Sequence, residues 1–148
     1  MIKKHYDIII VGSGPSGVFA ALELLRSRQD IKILLIEKGR DIDKRICPMK
    51  KSGISCSECP ECSLLSGWGG AGAYSDGKLT LSPHIGGSLV KYIGSDSLQS
   101  MIRDADRTYV TYGAPDEVYG PEEDDITTLT KRAAEHDLTF IPSKIRHI

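Results

Sequence analysis

The sequence predicts an α/β fold, and three features predict it: a β-branched apolar run at residues 6–11 (YDIIIV), a glycine-rich turn at 12–17, and a second apolar run at 31–36 (IKILLI). A short β-branched run closed by glycine fits a buried parallel strand. Between the two runs, residues 15–28 place Val18, Ala21, Leu22 and Leu25 at helical spacing, with Pro15 tolerated in the first turn. Strand, helix and strand within about thirty residues predict a right-handed crossover between two parallel neighbours, a βαβ core at residues 6–37.

Beyond that core, regular periodicity fades from Arg40 to Pro83, a stretch rich in Gly, Ser and Cys. A loop of that length is expected to be ordered and to hold a ligand. A helical portion follows at residues 95–136. Its first helix, 95–112, is capped by Ser95 or Asp96 and carries Leu98, Met101, Ile102, Ala105, Tyr109 and Tyr112 on one face, with Gly113, Ala114 and Pro115 as the stop. PDEVYGPEEDD reads as a turn-rich connector into a second helix over 122–136, whose acidic first turn suits the helix dipole. Residues 138–141 (LTFI) read as a strand. There is no internal repeat and no low-complexity segment.

With 148 residues, 40% apolar and 26% charged, the chain has the profile of one soluble globular domain able to bury an apolar core. A formal net charge of −1 with interleaved signs carries no electrostatic footprint for nucleic acid or an anionic membrane. The apolar run behind Lys3 and Lys4 extends only from Ile8 to Val11, too short for a secretory signal or a membrane-spanning helix. The expectation is a cytoplasmic protein with no nucleic-acid or membrane partner.

Gly12, Gly14 and Gly17 follow the first run directly and open the predicted helix, which is the context a GxGxxG pattern needs. Gly12 permits the tight turn, Gly14 lets backbone approach a pyrophosphate with no Cβ in the way, and Gly17 allows close packing of helix on strand. The N–H groups at the helix start, with about half a positive charge from the dipole, then face phosphate oxygens. Glu37 ends the second run 20 residues after Gly17, where a carboxylate accepts hydrogen bonds from adenosine ribose hydroxyls and repels a 2′-phosphate, disfavouring NADP. The pattern predicts a Rossmann-like dinucleotide-binding unit; spacing alone leaves FAD and NAD both open.

A second glycine-rich stretch lies at residues 67–80. Gly69, Gly70, Ala71 and Gly72 let backbone N–H groups crowd a planar ring or a phosphate, and Ser75, Asp76 and Lys78 add polar groups beside them. The same run also reads as a flexible turn packed on a helix.

Several segments together resemble a known group. YDIIIVGSGPSGVFAALELL, LLIEKGRDI and GWGGAGAYSDGKLTLSP, followed by YGAPDEVYGPEEDD and FIPSKIRHI, resemble the uncharacterised FAD-dependent dehydrogenases of bacteria and archaea, a branch of the two-dinucleotide-binding-domain flavoprotein superfamily. The resemblance spans the whole chain and covers roughly the first third of such a protein. It implies the FAD-binding N-terminal portion of a flavin-dependent oxidoreductase, with a small-molecule substrate and an electron-transfer partner. Carried over, Gly12, Gly14, Pro15, Ser16 and Gly17 sit at the pyrophosphate and Glu37 at the ribose, with Ser13 and Lys38 beside them as further cofactor-binding residues. Gly69, Gly70, Ala71 and Gly72 approach the flavin. The C-terminal Gly-Asp segment that binds the ribitol in that superfamily, and the substrate domain, have no counterpart here, so turnover by this chain alone is not expected.

Cys47, Cys56, Cys59 and Cys62 all lie in one loop at residues 47–62. In a reducing compartment such clustering argues for metal or redox chemistry over a disulfide framework. Two CxxC steps sharing Cys59 suit three thiolates around one centre, with Cys47 as the fourth ligand, and Pro48 and Pro60 resemble Cys-Pro turns beside iron-sulfur clusters. Three readings stay open: an iron-sulfur cluster relaying electrons, a zinc staple, and free or redox-active thiols.

His5, His84, His136 and His147 are scattered and read as surface or turn residues. Trp68, between glycines, reads either as a stacking partner for the isoalloxazine or as core filler. Two alternatives stand beside the flavoprotein reading: a non-catalytic nucleotide- or metal-binding fragment, and an NAD-binding domain.

Overall fold

A computed structural model describes residues 5–47, 49, 53 and 55–148, which leaves Lys3, Lys4 and Pro48 outside the described residues. The chain is mixed α/β and divides into two compact units, Met1–Asp76 and Gly77–Ile148.

The first unit opens with β1 (Ile8–Val11), α1 (Pro15–Ser27) and β2 (Ile33–Ile36). β1 and β2 pair in parallel, from Ile8 opposite Ile33 to Val11 opposite Ile36. Both strands begin two residues later than the apolar runs do, because a clasp occupies the approach. The Asp7 and Ile8 N–H groups both donate to the Lys32 carbonyl, and the Lys32 N–H donates to the Asp7 carboxylate at 2.8 Å. Ile8 and Ile10 are half-buried on the α1 side, whereas Ile9 and Val11 on the opposite face are 59% and 82% exposed.

After β2 the long excursion is closed at its neck by a parallel bridge between Arg40 and Gly67. Inside it a 3-10 turn, Ile42–Lys44, is capped by the Asp41 carboxylate accepting from the Ile42 N–H. A second 3-10 turn, Gly72–Tyr74, follows the neck.

The second unit contains β3 (Lys78–Thr80), α2 (Val90–Ile93), α3 (Ser95–Thr111), β4 (Val118–Tyr119), α4 (Glu123–Ala134) and β5 (Ile145–His147). Its sheet is antiparallel in the order β3-β5-β4. The cap of α3 differs from expectation. Gly94, at φ 79°, is the N-cap and also closes α2 by donating to the Val90 carbonyl, so Ser95 and Asp96 fall in the first turn. The expected strand at 138–141 is not formed. Asp137 takes a positive φ of 55° and the Leu138 N–H returns to the Ala133 carbonyl, so the chain is still finishing α4 where the apolar run begins. The strand is Ile145–His147 instead, and it pairs with β3 and with β4, inside the segment expected to be only a connector.

The expected apolar core is also absent: no apolar side chain among the described residues is fully buried. Two half-chain units have too much surface for their volume to enclose one. Polar side chains occupy the centres: Ser13 and Arg45 in the first unit, Thr108 and Arg146 in the second. Arg146 on β5 donates through Nε and Nη2 to the Asp106 carboxylate of α3, the latter at 3.0 Å, and through Nη1 to the Pro115 carbonyl at 2.7 Å. No helix among the described residues is long and apolar enough to cross a membrane.

The Asp106–Arg146 pair is nearly buried, at 17% and 9% side-chain exposure, while Asp104–Arg107 on the same helix is open to water. Removing one partner of an enclosed pair strands the other, whereas exposed pairs contribute little. D106N therefore lowers the melting temperature by at least about 5 °C, and D104N moves it by less than about 2 °C, in thermal unfolding followed by circular dichroism.

Candidate functional site

The turn between β1 and α1 carries three glycines, two of which the backbone geometry requires. Gly12 sits at φ 101°, in the left-handed region that side chains disfavour. Gly17 lies against the strand: a Cβ there collides with the Gly12 carbonyl oxygen and comes within 3.3 Å of Ile10 Cγ2. Gly14 is different, because a Cβ on it meets nothing nearer than Gly70 Cα at 4.0 Å. The space in front of Gly14 is thus open on all sides but one, which suits a phosphate group drawn close to backbone. Gly14 is the N-cap of α1 with no side-chain cap, and Pro15 begins the helix, so first-turn N–H groups have no intrahelical acceptor.

Glu37, at the end of β2, holds this turn. Its Oε2 accepts from the Ser13 N–H at 2.8 Å and from the Ser13 hydroxyl at 2.9 Å, and its Oε1 accepts from the Gly39 N–H at 2.8 Å. Ser13 is fully buried by the arrangement. The Ser13 N–H above all, then the Gly39 N–H and the Ser13 hydroxyl, hold the Glu37 carboxyl down at about 2. The Lys38 N–H adds a smaller contribution in the same direction.

The second glycine stretch docks on this turn. The Gly69 N–H donates to the Ser13 carbonyl at 2.9 Å, and a Cβ on Gly70 would come within 3.1 Å of Gly14 Cα and 3.3 Å of Pro15 Cδ. Gly67, Gly69 and Gly70 all have positive φ, 138°, 81° and 69°. Between the turn and this segment lies a cleft of about 360 Å³ whose lining includes Gly12, Glu37, Lys38, Gly67 and Gly70. A smaller cleft of about 250 Å³ on the other side of Glu37 is lined by Gly39, Asp41 and Trp68. Trp68 is 52% exposed and so is not core filler.

The structure therefore brings together residues 12–17, Glu37, Lys38, Gly69 and Gly70. Ala71 and Gly72 lead away into the 3-10 turn, where the Ser75 hydroxyl donates to the Gly72 carbonyl at 2.7 Å. Asp76 ends the first unit, and Lys78 lies in the second, on β3 opposite His147. Of the histidines, His147 packs edge-on against Tyr119 at 5.3 Å, and His84 lines a cleft of the second unit.

The four cysteines are free thiols, Cys56 and Cys59 exposed, Cys47 and Cys62 half-buried. The Ser63 hydroxyl donates to the Ile46 carbonyl at 2.8 Å, which ties the two ends of the loop beside Cys47 and Cys62. The Glu58 N–H donates to Cys56 Sγ at 3.4 Å, and the Ser57 hydroxyl lies 3.2 Å from Cys59 Sγ. In this arrangement the thiols do not form a ligand set: among the described residues no three His, Cys, Asp or Glu side chains converge on a metal position.

Sequence reasoning missed Arg45, whose guanidinium donates to carbonyls of the 64–70 segment. No local pattern marks it, since its acceptors are main-chain groups some twenty residues away.

No protein-family model and no solved structure matches the chain. An uncharacterized protein of Clostridium beijerinckii is 44% identical over 72 residues, which is 49% of this chain and 13% of that protein. The chain thus covers a small part of that relative's length.

Three outcomes follow from the geometry. G17A forces the Gly12 carbonyl out of place and lowers the melting temperature by at least about 5 °C, whereas G72A, which meets open space at an ordinary φ, shifts it little. The lowered Glu37 value means that its stabilising contribution is full above its ordinary 4.5 and disappears as pH falls toward about 2. Amide-exchange protection at Ser13 and Gly39, measured against the intrinsic rate at each pH, accordingly falls across that window, and E37Q removes the pH step. Native thiol titration modifies Cys56 and Cys59 faster than Cys47 and Cys62; iron or zinc bound stoichiometrically, with all four thiols blocked, is the opposite result.

Proposed function

We propose that this chain is the FAD-binding N-terminal portion of a flavin-dependent oxidoreductase, built on a Rossmann-like βαβ unit. The observation that carries the reading is that Gly12, Glu37, Lys38 and Gly70 line one cleft, with Glu37 and Gly69 both bonded to Ser13 of the Gly12–Gly17 turn. In this reading the open face of Gly14 and the first-turn N–H groups of α1 take the pyrophosphate, and the Glu37 carboxylate accepts from an adenosine ribose hydroxyl. The carboxylate, kept ionised by its backbone and Ser13 donors, repels a 2′-phosphate.

Trp68 lines the cleft on the Gly39 side of Glu37, so its ring belongs to the adenosine end of the ligand and not to the isoalloxazine. The Gly69–Gly70 segment, fixed to Ser13 and Gly14, lies along the ligand beyond the pyrophosphate. When bound, flavin supplies the hydride- and electron-accepting chemistry; the residues described here bind and orient it. The flavin reading does not rest on Cys47, Cys56, Cys59 and Cys62, for which an iron-sulfur cluster, a zinc staple and free or redox-active thiols all stay open. The free thiols fit a reducing compartment, and we place the protein in the cytoplasm.

Equilibrium titration of the purified chain with FAD, NADH and NADPH tests the reading. FAD binds most tightly, NADPH most weakly, and E37Q weakens FAD by at least about tenfold, the loss of one charged hydrogen bond. Preference for NADH overturns the cofactor assignment, and binding of none of the three overturns the nucleotide reading.

A further inference from the structure

Among the described residues of the first unit, Arg45 alone is both charged and buried, at 2% exposure. It follows the 3-10 turn Ile42–Lys44, and its guanidinium meets only main-chain carbonyls. Nε donates to Arg40 at 3.5 Å, Nη1 to Leu64 at 3.1 Å and to Gly70 at 2.7 Å, and Nη2 to Trp68. None of the ion pairs among the described residues includes it. The Glu37 carboxylate is engaged by Ser13 and Gly39.

This environment has two physical consequences. Leu64, Trp68 and Gly70 span the whole segment that docks on the phosphate turn, so one planar fork fixes the segment at three points. Only a guanidinium offers five donors in that fixed geometry. The fit is close: a Cβ on Gly67 would lie 2.6 Å from Arg45 Nε. The second consequence is electrostatic. Carbonyl dipoles hydrogen-bond a buried cation without cancelling its net charge, and a charge removed from water acts over longer range. Gly70, whose carbonyl accepts from Arg45, is also the residue that lies against Gly14. The charge therefore sits directly behind the surface that flanks the open space at Gly14.

We infer that Arg45 is a positioning residue that clamps residues 64–70 on the phosphate turn, and that its unpaired charge makes the cleft select a diphosphate-bearing ligand over a neutral nucleoside. The second half rests on the nucleotide reading above; the first does not.

Two variants of the full chain separate the roles. R45K keeps the charge and loses the fork, while R45Q keeps donors and loses the charge. Amide exchange measured without ligand reads the clamp: in R45K the Gly69 and Gly70 amides exchange at least tenfold faster than in the wild type, while the β1 and β2 amides keep their protection. Unchanged exchange at Gly69 and Gly70 overturns the clamp. Titration with ADP and with adenosine reads the charge. The wild type and R45K favour ADP, and R45Q reduces that preference at least tenfold. Proportional weakening of both ligands in R45Q, or loss of the preference in R45K, overturns the electrostatic role. If R45Q does not fold, citrulline at position 45, which keeps the planar shape and most of the donors and carries no charge, is titrated in its place, and an unchanged preference for ADP overturns the electrostatic role. A wild-type chain that binds neither ADP nor FAD overturns the nucleotide reading and the electrostatic role together, and the exchange result still decides the clamp.

Discussion

The Glu37 carboxylate, accepting from Ser13 twice and from Gly39 once, joins the end of β2 to the turn that follows β1. Parallel pairing alone brings these two strand ends side by side, since Val11 lies opposite Ile36 and the Gly12 N–H donates to the Ile36 carbonyl at 2.7 Å. It does not give the turn a conformation. The carboxylate does, by holding the Ser13 amide and hydroxyl so that Gly14 faces outward at the head of α1. Everything further out depends on that: the Ser13 carbonyl becomes the acceptor for Gly69, and Gly70 then comes to rest on Gly14.

Both units are organised around polar groups, not apolar ones. In the first, Arg45 gathers carbonyls from residues 40, 64, 68 and 70; in the second, Arg146 joins β5 to α3 and to the Pro115 carbonyl. Guanidinium groups suit this duty, because several donors diverge from one rigid plane and satisfy backbone that has no sheet or helix partner. A loop as irregular as 40–76 exposes many such carbonyls. A small unit with no enclosed apolar centre is held in shape by directional bonds, and geometry accordingly counts for more than volume at each position.

Much of the βαβ unit was legible in the sequence, because local signals and global placement agree there: two β-branched runs, Pro15 at the helix start and three glycines at the turn. Gly12 and Gly17 have the geometric reasons the pattern implies, a positive φ and close packing on the strand, whereas the fold itself makes no such demand at Gly14. Legibility failed where an element owes its existence to a distant partner. Ile145–His147 has three residues and an arginine at its centre, no strand signal at all, yet it pairs on both edges and Asp106 receives its charge. Residues 138–141 have the better strand composition and lack a free start, since Leu138 closes α4. Arg45 was invisible for the same reason: its acceptors are carbonyls, which every residue carries.

The Glu37 latch and a bound ribose need not compete. In the proposed reading a ribose hydroxyl meets the carboxylate at Oε1, on the Gly39 side, and leaves both Ser13 bonds on Oε2 as they were. The ligand then meets a carboxylate whose orientation and charge were already set by the fold, so little ordering entropy is lost on binding. Protonation of Glu37 removes the charge that strengthens the Ser13 and Gly39 bonds. Under the proposed reading the same titration weakens the ribose contact, so ligand affinity and the shape of the Gly12–Gly17 turn respond to acid together.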